Sequence, residues 1–267
     1  MSEERSVRRL HKHLVEERDG AVVVVRVERE EALGALSRSM LEALGPYLSE
    51  LRSDASVRSI VVTGTGRGFI TGADINEYNG VSREQFEAYQ RLGREVFSSL
   101  ASLPQPVVAA VNGYAYGGGF ELVLACDVVF AATTASFALP EVKLGLIPGG
   151  AGTQRLVRAV GPRATKDLVM TGRRIKAAEA QQMGLVLQVV EPEQLLEASV
   201  KYAAGLAEMA PLAVQAAKRV IDATEEASLA LGWTLEQLEL SRLFLTDDAR
   251  EGISAFLEKR QATWRRG

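Results

Sequence analysis

Residues 116–127 read "YGGGFELVLACD", three adjacent glycines followed by a glutamate inside an otherwise apolar run. Three glycines in succession carry a large conformational-entropy cost, so the stretch points to a place where bare backbone is needed. A lone acid in an oily segment is costly unless it is hydrogen-bonded, paired or used chemically. The stretch therefore predicts a helix beginning at Gly118–Gly119, with Glu121 in its first turn.

Its neighbours set the fold class. "VVAAVNG" before it and "DVVFAA" and "SFALPE" after it are short strands. Further upstream, "AVVVVRV" (21–27) and "VRSIVVTG" (57–64) are strands rich in β-branched residues, while 33–51 and 83–102 have helical periodicity. Strand and helix in alternation predict an α/β core with crossover connections. From about residue 193 the pattern turns wholly helical, over 193–208, 211–226, 228–245 and 248–260, with Pro211 and Gly232 as punctuation. The charged N-terminal "RSVRRLHKHLVEERDG" reads as a solvated arm.

Composition excludes several chemistries. The 267 residues carry a net charge of −3, which offers no basic field for nucleic acid or an anionic membrane. No apolar stretch reaches the roughly 18 residues of a membrane span. The single cysteine, Cys126, allows no internal disulfide, fits a reducing compartment and reads as a small core residue; a cytoplasmic protein is expected. His11 and His13 are the only histidines and lie far from any glycine-rich turn, so a Ser-His-Asp triad, a Cys-His pair and a His-ligated zinc are all disfavoured. Neither a metal nor a redox cofactor is implied.

Three glycine turns remain as candidates. "VVTGTGRGF" fails the dinucleotide fingerprint, because counting from Gly64 the third required glycine falls on Phe69. In "GFITGADI", Gly72 permits a tight path, Asp74 is placed to cap the next turn, and the Ala73 amide can face a cavity. At Gly118, the first amides of the helix have no internal partner and sit at the positive end of its dipole. A second acid, Glu141, follows Pro140 in "LPEVKLGLIPGGAGTQRL" and precedes another glycine turn at Gly149–Gly150. Two acids beside constrained turns form a possible general acid/base pair; surface ion pairing is the other fate open to them.

The blocks "FITGADINEY", "NGYAYGGGFELVLACDVVFA", "LPEVKLGLIPGGAGTQRLVRAVG" and "FLTDDAREGISAFLEKR" closely resemble the enoyl-CoA hydratase/isomerase, or crotonase, family, over about residues 14–262. The resemblance implies a crotonase-like spiral of ββα-type turns (1–205) followed by a C-terminal helical trimerisation region (206–267). It implies an oxyanion hole from the Ala73 and Gly118 amides, catalytic glutamates at Glu121 and Glu141, and a water-positioning amide at Gly149. It places substrate and CoA against Ala32, Thr71, Ala73, Asp74, Ile75 and Gly118, with Phe256 and Lys259 reaching the CoA of a neighbouring subunit. The implied substrate is an acyl-CoA thioester, CoA being part of the substrate and not a cofactor, and the implied assembly is a homotrimer or a dimer of trimers. Two glutamates favour hydration of a trans-2-enoyl-CoA. The other readings are an enoyl-CoA isomerase or a branched or aromatic acyl-CoA hydratase of the same family, and a non-catalytic RNA-binding or scaffold member.

The chain departs from the family where lysines are common near the CoA phosphates: it has Glu31 and Asn76, and Gly34 where asparagine is usual. Arg29 and Arg67 are the nearby candidates to compensate. Tyr78, Phe86, Phe97, Tyr114, Tyr116 and Leu144 are candidates to border the acyl tail.

Overall fold

The charged N-terminal segment is a β-hairpin rather than a solvated arm. The computed structural model describes residues 6–224 and 227–265. In it β1 (Ser6–His11) and β2 (Leu14–Asp19) pair antiparallel, and β2 pairs with β3 (Val22–Val27) in the register Leu14↔Val27 to Asp19↔Val22. Leu14 and Val15 are buried, whereas the charges find partners along the strands, as in Arg26 Nε to Glu17 Oε1 at 2.8 Å. His11 and His13 are half-buried at the hairpin turn, with His13 Nδ1 2.9 Å from the Glu28 carbonyl. Arginines on the outermost strand, β1, also blunt an edge that would otherwise invite another strand.

The remaining elements follow in order. They are α1 (Arg38–Ser53), β4 (Ser59–Gly64), β5 (Gly68–Ile70), α2 (Arg83–Ala101), β6 (Val107–Val111), β7 (Tyr114–Tyr116) and α3 (Gly118–Val123). Next come β8 (Val128–Ala132), β9 (Ser136–Ala138), α4 (Gly152–Thr171, interrupted at Gly161), β10 (Ile175–Lys176), α5 (Ala177–Gln182) and β11 (Gln188–Val190). The chain closes with α6 (Leu195–Ala207), α7 (Pro211–Ala223), α8 (Leu229–Phe244) and α9 (Asp247–Glu258). The predicted helix over 211–226 thus ends at Ala223, and positions 225–226 lie outside the described residues. The predicted helix over 33–51 starts later, at Arg38, capped by Ser37. Leu33 is left-handed (φ 50°) and Leu36 forms a parallel bridge with Ala73, so neither can be helical. β10, α5 and β11 have no counterpart in the sequence reading.

Two sheets result. One has the order β1-β2-β3-β4-β6-β8-β11, parallel from β3 onward; the other has the order β10-β9-β7-β5. The pairs β4–β5, β6–β7 and β8–β9 each give one strand to each sheet before a helix returns the chain. This repetition is a spiral of ββα turns. β4 and β6 are wholly buried, as parallel strands covered on both faces must be. Alternation then divides them: Ile60, Val62, Val107 and Ala109 join the core that includes α1 and α2, while Val61, Val108 and Ala110 pack with Leu195 and Ala203 of α6.

Candidate active site

A cavity of about 630 Å³ opens between α2, the turn after β5, the start of α3 and the segment 140–150. Local constraints explain each wall. Leu36 donates to the Gly72 carbonyl at 2.8 Å and accepts from the Asp74 amide at 2.9 Å, which leaves the Ala73 amide pointing away from that bridge. Asp74 accepts from the Asn76 amide at 3.1 Å, the capping its position predicts, and also pairs with Arg29 at 2.7 Å. Arg29 donates in addition to the Ala35 carbonyl, so its guanidinium fixes this turn. The pairing holds the Asp74 carboxyl below its ordinary range.

The three glycines have separate reasons. Gly117 has φ +52°, and a Cβ there would come within 3.1 Å of Glu141 Oε1. Gly118 opens α3 and lies against Gly72, so the two glycine turns touch directly. A Cβ on Gly119 would fall 1.7 Å from the Ile70 carbonyl oxygen, a position no side chain can take. The Gly117 amide is tied to the Ala138 carbonyl at 2.9 Å, whereas among the described residues neither Gly118 N–H nor Ala73 N–H has an acceptor.

Both acids line this cavity. Glu121 is only 4% exposed, and its Oε1 accepts the amides of Gly150 at 2.7 Å and Gly152 at 2.8 Å. Burial raises its pKa, opposed by those two amides and by the charge of Arg155. Glu141 begins a 3-10 turn behind Pro140, and its Oε2 is buried without a partner. Burial, together with the charge of Glu121, pushes Glu141 up to about 7. Two amide donors thus oppose the effect of burial on Glu121, whereas at Glu141 burial and the Glu121 charge act in the same direction.

The other expected residues divide. Thr71, Ile75 and Gly149 line the cavity; Ala32 sits behind Thr71, accepting its hydroxyl at 3.3 Å. Phe256 (83% exposed) and Lys259 lie on and just after α9, away from the cavity of their own chain. Tyr78, Phe86, Phe97, Tyr116 and Leu144 border the cavity, but Tyr114 does not: it stacks on Tyr116 and accepts Arg67 at 3.1 Å. Cys126 is half-buried at the margin of the core. Sequence reasoning missed the grip of Gly150 and Gly152 on Glu121, and the use of Arg29 on Asp74. The glycine pair 149–150 marked a turn without indicating which acid it serves.

Among the described residues no group of three or more His, Cys, Asp or Glu side chains converges as a metal site would require, and no helix is long and apolar enough to cross a membrane.

A family model described as enoyl-CoA hydratase/isomerase matches residues 17–267. A probable mitochondrial enoyl-CoA hydratase of Dictyostelium discoideum is 40% identical over 93% of this chain and 89% of its own length. The 2,3-dehydroadipyl-CoA hydratase of Escherichia coli is 39% identical over 92% of this chain and 96% of its own. The crystal structure of enoyl-CoA hydratase from Bacillus anthracis superposes with a TM-score of 0.93 at 38% identity, covering 96% of this chain and all of that one. These likenesses define a protein of the crotonase fold, as the resemblance implied. The chain belongs to the enoyl-CoA hydratase/isomerase family.

Proposed function

We propose that this enzyme adds water reversibly across the 2,3 double bond of a trans-2-enoyl-CoA thioester, giving a 3-hydroxyacyl-CoA, in acyl-CoA degradation. The observation that carries the reading is the pair of amides, Ala73 and Gly118, without acceptors among the described residues, beside a buried carboxylate, Glu121, and a half-buried one, Glu141, whose Oε2 is buried without a partner. The thioester oxygen accepts both amides. Water, held between the acids, loses a proton to Glu121 as its oxygen bonds to C3. The π electrons move toward the thioester oxygen, where the two amides stabilise the charge, and Glu141 protonates C2. The sum is one H and one OH added, with the glutamates restored by proton exchange. A single oxyanion donor is typically worth about 10²–10³ in rate.

CoA enters as part of the substrate, past Ala32, Thr71 and Ile75. The exposed apolar side chains of α8 and α9, among them Trp233, Phe244 and Leu257, support a homo-oligomer, a trimer or dimer of trimers, in which 206–267 pack together and bring Phe256 and Lys259 to a neighbour's CoA. The single cysteine fits a cytoplasmic enzyme. The E. coli relative's name specifies one acyl group and the Dictyostelium name none, so family membership leaves acyl preference to the cavity's own side chains.

Loss of the conjugated-thioester absorbance with crotonyl-CoA tests the proposal. Absence of hydration by the folded protein overturns it.

A further inference from the structure

Tyr78 and Gln90 line the same cavity as Glu121, Glu141 and Gly149. Gln90 Nε2 donates to the Tyr78 hydroxyl at 2.7 Å. The other end of that amide, Gln90 Oε1, is seated against the turn before α4, 2.5 Å from where a Cβ on Gly149 would lie. The next residue, Gly150, holds Glu121 through its amide, so Gln90 spans from Tyr78 to the turn that grips this acid. Accepting the Gln90 bond leaves Tyr78 its own proton, which has no acceptor among the described residues. The ring is fixed edge-on against Phe86 at 5.1 Å and Tyr89 at 5.3 Å. Tyr89 in turn donates to the Leu36 carbonyl at 2.8 Å, the same carbonyl that accepts the Asp74 amide just beyond Ala73. Tyr78 is thus tied to the Ala73 turn on one side and to the Gly149 turn on the other. Burial pushes its hydroxyl up to about 12, opposed by the Gln90 bond and reinforced by the charges of Glu121 and Glu141. It therefore keeps its proton at working pH while lying in the field of both acids. A phenylalanine would pack edge-on equally well without taking a donor out of water, a burial that is unfavourable unless the donor is used.

We infer that Tyr78 is a third catalytic side chain, donating a hydrogen bond to the oxygen that is added at C3, and that Gln90 is the residue positioning it. The inference rests on the hydratase reading and adds two residues to it. As its proton leaves for Glu121, the attacking oxygen becomes hydroxide-like and accepts more hydrogen bonds than water does. The Gly149 amide is the expected donor of one, and Tyr78 supplies another. An ionised Glu121 has no proton to give, and the Glu141 proton is committed to C2. Tyr78 transfers no proton, so the sum remains one H and one OH added. In the reverse direction the same bond meets the oxygen as C3–O breaks and negative charge builds on it. A donor fixed in advance acts most strongly at that point, which places its effect on kcat.

The test separates the C3 oxygen from the rest of the site. Exchange of the C2 protons of butyryl-CoA in deuterium oxide uses the two amides and Glu141 but makes no bond to oxygen at C3. Tyr78→Phe should lose at least about tenfold more in the kcat of crotonyl-CoA hydration than in this exchange, with KM changed little. Gln90→Met should show the same pattern more weakly, and adding it to Tyr78→Phe should cost nothing further, since both remove one device. Wild-type kcat in Tyr78→Phe overturns the inference, as do equal losses in hydration and exchange, a loss confined to KM, or additive losses in the double variant. Should Tyr78→Phe not fold, Gln90→Met read in the same two reactions decides. Should exchange be too slow to read, the split between kcat and KM and the double variant decide. Hydration by the wild type with Tyr78→Phe unaffected sinks only this inference, whereas a folded wild type that does not hydrate crotonyl-CoA sinks the hydratase reading itself.

Discussion

Glu121 Oε1 accepts the Gly150 amide at 2.7 Å, a bond that joins the first turn of α3 to the turn entering α4. The Gly152 amide reaches the same oxygen at 2.8 Å. This acid is a structural acceptor and, in the proposed mechanism, a reactive group as well, and the two roles separate by substitution. Glu121→Gln keeps an oxygen for both amides, so it should fold and lose about 10²–10⁴ in kcat. Glu121→Ala leaves two buried amides unanswered and should also lose about 1–3 kcal/mol in urea unfolding for each. Near-wild-type turnover by Glu121→Gln would remove Glu121 from the mechanism.

Glu141 gives a pH signature. Its pKa stands at about 7 in the folded chain, above that of an unperturbed glutamate, so the folded protein binds more protons than the unfolded one between those values. The stability contributed by the neutral form is complete below the unfolded pKa and is lost as pH rises through about 7. Glu141→Gln cannot ionise. Its melting temperature relative to wild type should rise with pH across that window and level off above it, while kcat falls at every pH. A melting difference that does not change with pH would contradict the placement of this acid.

The Gly118 amide can be deleted without touching a side chain. Gly118 is the first residue of α3, a position that accepts proline because its N–H has no helical partner. A Cβ there makes only ordinary contacts, the nearest being Gly72 Cα at 3.6 Å. Gly118→Pro should retain its circular dichroism and lose about 10²–10³ in kcat. Full activity in that variant would mean the thioester oxygen is bound elsewhere.

The exposed apolar residues of the last two helices make the proposed assembly testable. Leu257 is exposed on α9 and Phe244 on α8. Leu257→Glu with Phe244→Glu should shift sedimentation to the monomer, and KM for the CoA thioester should rise as the neighbour's Phe256 and Lys259 are lost. A wild-type chain that sediments as a monomer at assay concentration would refute the shared site.

Legibility in the sequence followed how local the cause was. The glycine turns and both acids lie in short segments, so local sequence marks Ala73, Gly118, Glu121 and Glu141 as candidates, and the family resemblance supplies the roles expected of them. The hairpin over 6–19 was hidden because Arg, Lys, Glu and Asp occupy half of its positions and its apolar residues, Val7, Leu10, Leu14 and Val15, show no period of two. Arg29 is, from sequence, a candidate to compensate for missing lysines near CoA; its partner, Asp74, lies 45 residues away, and nothing local reveals that pairing. Likewise the helix expected from residue 33 starts at Arg38, because the bridge from Leu36 to Ala73 overrides local helical preference.

By itself the sequence determined that the segments forming β4 and β6 are apolar strands, where the backbone must be bare, and which acids lie beside those turns, since each depends on residues close along the chain. Only the tertiary structure decided that 72–73, 117–121, 141 and 150–152 meet around one cavity, which acid receives two amides and which is left near neutrality, and that Tyr78 and Gln90 share a wall. Convergence and burial depend on the path of the whole chain through both sheets, and protonation follows burial.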